Sequence, residues 1–186
     1  MAGKPRPLRA DAARNRARVL EVAYETFAQE GLSVPIDEIA RRAGVGAGTV
    51  YRHFPTKEAL FRAIVANRLQ RLIDYATPLM DADDPGAAFF AFLALLVEEK
   101  DQVLVEALAG VGFDIATAMP DVEREFLAIL DSLLTRAQRA GAVRSDVDVR
   151  DVKALLVGCQ AMLRHNDNAG LTRRTLAVVM DGLARA

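Results

Sequence analysis

Residues 36–60 read IDEIARRAGVGAGTVYRHFPTKEAL, and the fold follows from how this stretch is punctuated. Ile36–Ala43 places Ile36, Ile39 and Ala40 on one side of a 3.6-residue period and is stopped by Gly44. Ala47–His53 forms a second short helix, joined to the first through Gly44, Val45 and Gly46. Two helices of about two turns, separated by a glycine-containing turn, make a helix-turn-helix unit whose second helix enters the major groove of DNA. Ile36, Ile39 and Ala40 are expected to pack against Val45, Val50 and Phe54, which leaves Ala47, Thr49, Tyr51, Arg52 and His53 on the open side.

The open-side residues suit nucleic acid. Thr49 and Tyr51 can hydrogen-bond a phosphate or base edge and touch a thymine methyl, and Arg52 can make the bidentate contact to guanine O6 and N7. His53 and Lys57 come later, where phosphate contacts are expected; Lys57 sits at a helix N-terminus whose free N–H groups also attract phosphate. Gly46, Ala47 and Gly48 offer almost no side chain, so the backbone can approach the groove closely while few groups remain to read bases.

Outward from this unit the same helical period continues, with no sustained alternation of the kind strands show. A preceding helix is expected over Ala12–Glu30, burying Val19, Val22, Ala23, Phe27 and Ala28 and ending at Gly31. Thr56 is placed to cap a following helix, Lys57–Tyr75, with Leu60, Ile64, Leu69 and Leu72 inward. The acidic stretch Pro78–Gly86 (PLMDADDPG) reads as a loop, and the domains are expected to meet on the helix before it. Further helices are expected at Ala87–Glu99, Gln102–Ala118, Asp121–Ala140, Val149–His165 and Thr172–Ala184. Pro120 opens one of them, Gly141 ends it, Asp148 and Thr172 cap the last two, and Asn166–Gly170 forms the turn between these. The fold class is all-α: about nine helices, divided into a DNA-binding domain over residues 1–57 and a larger helical domain over residues 58–186.

Composition narrows the function. The formal net charge of −1 conceals an asymmetry: Met1–Arg62 holds eleven Lys and Arg against seven Asp and Glu, and the remainder is acidic. Lys4, Arg6, Arg9, Arg14, Arg16 and Arg18 face only Asp11, a cluster that attracts phosphates, although a solvated tail has the same composition. One cysteine and two histidines are too few for a convincing zinc site, and no cofactor is expected. The apolar run Gly86–Val97 falls short of the ~20 residues a membrane span needs, and no signal-peptide pattern opens the chain, so a cytoplasmic protein is expected.

Three segments together, VLEVAYETFAQEGL (19–32), IDEIARRAGV (36–45) and GTVYRHFPTKEALF (48–61), resemble the signature of the tetracycline-repressor (TetR) family over Val19 to about Ile64. That resemblance implies three helices for DNA, a fourth linking them to a ligand-binding and dimerising domain, and repression relieved by a small molecule. It puts Thr49, Tyr51 and His53 at DNA-contacting positions and Lys57 at that of a phosphate-contacting lysine. Pro35–Ile36 stands where a Thr-rich cap is common, which removes the hydroxyl that would touch phosphate there.

In the larger domain, Phe89, Phe92, Phe113, Met119 and Met162, with Phe90 and Met80, could line a pocket for a small-molecule effector; ordinary core packing is the alternative for each. Gln102, Glu106, Gly110, Asp114 and Thr117 lie on one stripe and are expected to face solvent, while Cys159 and His165 read as a buried thiol and a structural imidazole. The last two helices carry Leu155, Leu156, Gly158 and Met162, then Leu176, Val179, Met180 and Leu183, faces suited to a homodimeric four-helix bundle. Such a dimer would read a pseudo-palindromic double-stranded operator. The competing readings are a helical adaptor that has lost DNA binding and a ligand-modifying enzyme. The enzyme reading lacks any catalytic motif and has only His53 and His165 as imidazole bases.

Overall fold

The structure is a computed structural model that describes residues 6–98, 115–163 and 169–185. Its helices are α1 (Arg6–Glu30), α2 (Ile36–Ala43), α3 (Ala47–His53), α4 (Lys57–Leu79), α5 (Pro85–Glu98), α6 (Ile115–Ala118), α7 (Pro120–Arg139), α8 (Val149–Leu163) and α9 (Ala169–Leu183). Among the described residues there is no strand, only an isolated bridge between Val143 and Ala184. Most of the expected helix Gln102–Ala118 lies outside the described residues, as do Phe113 and His165.

The first compact unit takes in the chain through Arg68 together with Ile115–Met119. Its core is built by Val19, Leu20, Ala23 and Phe27 of α1, Ile36, Ile39, Ala40 and Ala43 of α2, Val50 and Phe54 around α3, and Leu60, Phe61, Ile64 and Val65 of α4. Phe27 meets Phe61 edge to face, with ring centroids 5.1 Å apart. The second unit holds Leu69–Glu98 and Pro120 onward, so the boundary between units falls within α4. Its core gathers Ala76, Phe89, Phe92, Leu93, Leu130, Leu133, Leu134 and Val152 among others.

Helix ends follow local chemistry. Gly44 closes α2 at φ 67°, a left-handed conformation that costs a residue with a Cβ but not glycine, and its N–H bonds back to α2 carbonyls. Gly31 and Gly141 end α1 and α7 in the same region. Thr56 Oγ1 accepts the Ala59 N–H at 3.0 Å at the start of α4. At α8 the Asp148 carboxylate accepts the Arg150 and Asp151 N–H groups while Asp151 reaches back to the Asp148 N–H, a reciprocal cap. At the other end of α4, the Arg136 guanidinium donates to the Leu79 and Ala82 carbonyls, each at 3.1 Å.

Four boundaries differ from the sequence expectation. Helix α1 starts at Arg6, six residues before the expected Ala12, so Arg6 and Arg9 belong to the helix and not to a tail. Pro78 lies in the last turn of α4, where it costs little because the helix ends one residue later at Leu79. Pro85 and Gly86 belong to α5: proline is favoured at the first helical position, and Asp84 Oδ1 caps it by accepting the Ala87 N–H at 2.9 Å. Helix α9 starts at Ala169, so Thr172 lies inside it and Ala169 and Gly170 are helix, not turn; residues 166–168 of the expected turn are outside the described residues.

Gly86 is where α5 approaches the chain after α7 most closely, since a Cβ there would lie 2.5 Å from the Ala142 Cβ. Gly86→Ala should therefore destabilise by about 1–3 kcal/mol through overpacking, reversing the gain of up to about 1 kcal/mol that alanine brings to an open helix site. Urea unfolding checks this; an unchanged or raised midpoint would mean that the contact yields freely.

Candidate nucleic-acid interface

A helix of seven residues cannot hold itself together in water. Helix α3 persists because Val50 (0% exposed) and Phe54 (2%) are sunk into the first unit's core, each contributing about 1.5–3 kcal/mol of apolar burial. With those two fixed, the opposite side must face outward. Tyr51 (43% exposed), Arg52 and His53 are exposed, and Ala47, Thr49 and Lys57 are half-buried, so the six candidates cluster on α3 and the first turn of α4. No ion pair engages Arg52 among the described residues, leaving its guanidinium available. A Cβ at Gly48 would meet nothing within 4 Å, so the start of α3 presents bare backbone to the outside.

Lys57 is positioned by an interaction absent from the sequence pattern. Its Nζ lies 5.6 Å from the ring centroid of the buried Phe27, a cation–π contact. Partial burial pushes its pKa below the ordinary lysine value, so an arriving phosphate would favour the charged form that burial disfavours. At α2, Pro35 supplies no side-chain cap, and its carbonyl instead accepts the Glu38 and Ile39 N–H groups.

The other cations of the motif are neutralised within the protein. Arg41 Nε and Nη2 and Arg42 Nε each donate to Glu38 at 2.7 Å, and Arg42 also pairs with Glu30 at the end of α1. Hydrogen bonds from Arg41 and then Arg42 hold the Glu38 carboxyl at about 2, and Arg42 lowers Glu30 likewise. Arg42 fastens α2 to α1, while Arg41 binds within α2. The i, i+4 pair Glu38–Arg42 was readable from spacing; the Glu30–Arg42 pair was not, because only the fold brings α1 and α2 together.

The candidate effector residues that are described divide between the two units, Met119 in the first and Phe89, Phe92 and Met162 in the second. Phe89 and Phe92 are fully buried in the second unit's core; Phe92 stacks on Tyr75 at 6.4 Å and lies 6.3 Å from Phe126. Met119 is half-buried in the first unit, and Met162 is exposed on α8. Phe90 and Met80 pack half-buried against the second core. Thr117 is exposed, and the rest of the expected polar stripe lies outside the described residues. Cys159 is buried, and burial raises its thiol pKa, which keeps it protonated and a poor nucleophile.

A short helix backed by two buried side chains, with hydrogen-bonding and cationic groups on its free side, defines a helix-turn-helix DNA-binding protein. Residues 19–64 match the family model "Bacterial regulatory proteins, tetR family", and residues 84–185 match "Transcriptional regulator SbtR-like, C-terminal domain". A TetR transcription regulatory protein from Mycobacterium vanbaalenii is 56% identical, aligned over 96% of this chain and 99% of that one with a TM-score of 0.77. The regulator SCO0520 from Streptomyces coelicolor is 32% identical over 92% of this chain and 99% of that one, with a TM-score of 0.73. The HTH-type transcriptional regulator SrpR of Pseudomonas putida is 29% identical over 147 residues, 76% of this chain and 69% of that protein. The chain belongs to the TetR family: it is a DNA-binding transcription regulator with an N-terminal helix-turn-helix and a C-terminal helical domain, and not an enzyme. No helix among the described residues is long and apolar enough to cross a membrane.

Gly48 separates fold from function. Gly48→Ala should keep or raise the thermal midpoint, because the added methyl meets only open space and alanine favours helix by up to about 1 kcal/mol. The same methyl should weaken operator binding by holding the backbone off the groove. Calorimetry beside a gel-shift titration checks both halves, and unchanged affinity would place Gly48 away from the DNA.

Proposed function

We propose that the protein is a cytoplasmic homodimeric repressor that occupies a pseudo-palindromic operator and is released from it by a small molecule. Residues 1–57 read DNA, with Ala47, Thr49 and Tyr51 toward bases and sugar-phosphate, Arg52 toward a guanine, and His53 and Lys57 toward phosphates. Residues 58–186 bind the effector and the second protomer. The observation that carries the reading is the exposed Tyr51, Arg52 and His53 on α3, which make no ion pair among the described residues although the neighbouring Arg41 and Arg42 are ion-paired. Of the faces expected to pair, Leu156, Leu176 and Leu183 are buried in the second unit's own core, so dimerisation through α8 and α9 is supported instead by their exposed apolar residues, Leu155, Val157 (57% exposed), Met162 and Val178 (71%). Gly158 and Gly182 add room for close helix approach, since a Cβ at either would meet nothing within 4 Å. A groove of about 700 Å³ runs beside α8, lined in part by Leu155, Gly158, Cys159 and Met162. Phe89 and Phe92 have no free surface, so they could touch an effector only if the core around α5 parts; on this reading, ligand contact and conformational change are one event.

Selection of bound duplexes from a random pool by the purified protein tests the proposal. An inverted repeat, bound with a steep inverse salt dependence by a species of twice the chain's 20.2 kDa, is expected. No enrichment, or a preferred site without two-fold symmetry, would overturn it.

Release also requires a route from effector to reader, and Arg62 is placed to supply it. Its Nη1 donates to the Ala118 carbonyl at 2.7 Å, at the end of α6, while Nη2 holds Glu58 one turn back on α4 at 3.0 Å. The residue after Met119 already belongs to the second unit. Arg62→Met should leave operator affinity intact and reduce the ligand-induced loss of affinity, a coupling typically of about 1–3 kcal/mol. A release assay with an effector found by screening against the selected operator checks this; a full response in the variant would remove Arg62 from the route.

A further inference from the structure

Residues 11–18 of α1 are exposed throughout, and their one acid, Asp11, is paired with Arg14. Arg16 and Arg18 make no ion pair among the described residues, yet neither is adrift. The Arg16 guanidinium carbon lies 5.6 Å from the centroid of the Phe54 ring, on the residue that closes α3. The Arg18 guanidinium lies at Gly44, with Nη2 3.6 Å from where a Cβ would stand, beside the turn that leads into α3. Two positions apart on a helix are about 200° apart around it, so one element can send a cation toward each end of the next. Arg16 and Arg18 thus bracket the reading helix.

Bracketing matters because of scale. Helix α3 has seven residues, a length of about 10 Å at 1.5 Å per residue, and the major groove it enters is about 12 Å wide between phosphate walls. Groups at the two ends of the helix therefore come close to the two backbones. Other arginines of this unit are committed elsewhere: Arg41 and Arg42 to Glu38 and Glu30, Arg62 to Glu58 and the Ala118 carbonyl, Arg68 to the Tyr24 ring.

We propose that Arg16 and Arg18 are phosphate-contacting residues, one for each wall of the groove, which together with Lys57 fix the register of α3. The stacking on Phe54 and the position beside Gly44 place their guanidinium groups near the ends of α3, so less side-chain freedom is lost when a phosphate arrives. The proposal rests on α3 being the groove-inserted helix. Its signature is distinct from base reading, since phosphate contacts change affinity alike on every sequence and alter the salt dependence.

The test measures affinity for the selected operator and for a random duplex at several salt concentrations. The proteins are the wild type, Arg16→Met, Arg18→Met, the double Met variant, the matching Lys variants, and, as a charge-loss control, Arg124→Ala at an exposed position of α7. Methionine keeps an apolar stem over Phe54 while removing charge, and thermal unfolding is followed in parallel. Each Met substitution should flatten the slope of log K against log salt by about 0.9 per protomer, the double by about 1.8, with equal proportional loss on both duplexes. The Lys variants should keep the wild-type slope, and so should Arg124→Ala. A wild-type slope in the Met variants, a flattened slope in the Lys variants, or an equal effect of Arg124→Ala would each overturn the assignment. A wild type that binds both duplexes without salt dependence would instead overturn the reading of α3 itself.

Discussion

The burial of Val50 and Phe54 is the constraint on which the DNA-binding unit depends. Each of the three helices around them is too short or too polar to be stable alone: α3 has seven residues and α2 has eight. Their joint core, in which Phe27, Ile39, Val50 and Leu60 are fully buried, removes that difficulty and at the same time settles which side of α3 is free. Function is a consequence of the packing geometry here. The side chains that α3 exposes are those the core has no room for, and the core's own aromatic residues serve as seats for cations, Phe27 for Lys57 and Phe54 for Arg16.

Charge is arranged by the same logic. Glu30 and Glu38 face Arg41 and Arg42, an exposed network in which each ion pair is worth little alone but which fixes α2 against α1 and removes two positive charges from the competition for phosphate. What remains positive around α3 is the exposed Arg52 together with Lys57, Arg16 and Arg18, which lie against Phe27, Phe54 and Gly44. A basic surface without that sorting would attract any polyanion; a sorted one has register as well as affinity.

Much of this was legible because helix ends are decided by chemistry confined to a few neighbouring residues. Gly31, Gly44 and Gly141 read as stops and are the glycines with positive φ among the described residues, and the caps at Thr56 and Asp148 formed as their spacing suggests. The misread boundaries of α4 and α5 share one cause. Pro78 and Pro85 stand in a stretch that reads as a loop, yet proline is tolerated in a closing turn and welcome in an opening one, and the sequence does not say which turn a proline occupies. Burial on α4 was also only half legible. Leu60 and Ile64 are core as their period implies, but Leu69 and Leu72 are half-buried while Phe61, Val65 and Ile73 are buried, because the helix serves two units and its inward face differs between them. The exposed side of α3 was readable since it lies on one face of one helix. The seats for Lys57, Arg16 and Arg18 were not, because each joins residues far apart in sequence.

Helix α4 shows how regulation can be built from such contacts. Its 23 residues are secured at both ends by side chains outside its own length, Thr56 at the start and Arg136 at Leu79 and Ala82. A helix fastened only at one end would absorb a disturbance by fraying at the other. Fastened at both, it moves as a body or one fastening gives way. Hydrogen bonds from a charged donor contribute about 1.5–3 kcal/mol, which is the range of coupling energies by which one ligand alters the affinity of another. On the proposed reading, a small molecule that parts the core around α5 acts on DNA only through a difference in affinity between two arrangements of the chain, and one or two bonds of the kind Arg136 and Arg62 make are of that size.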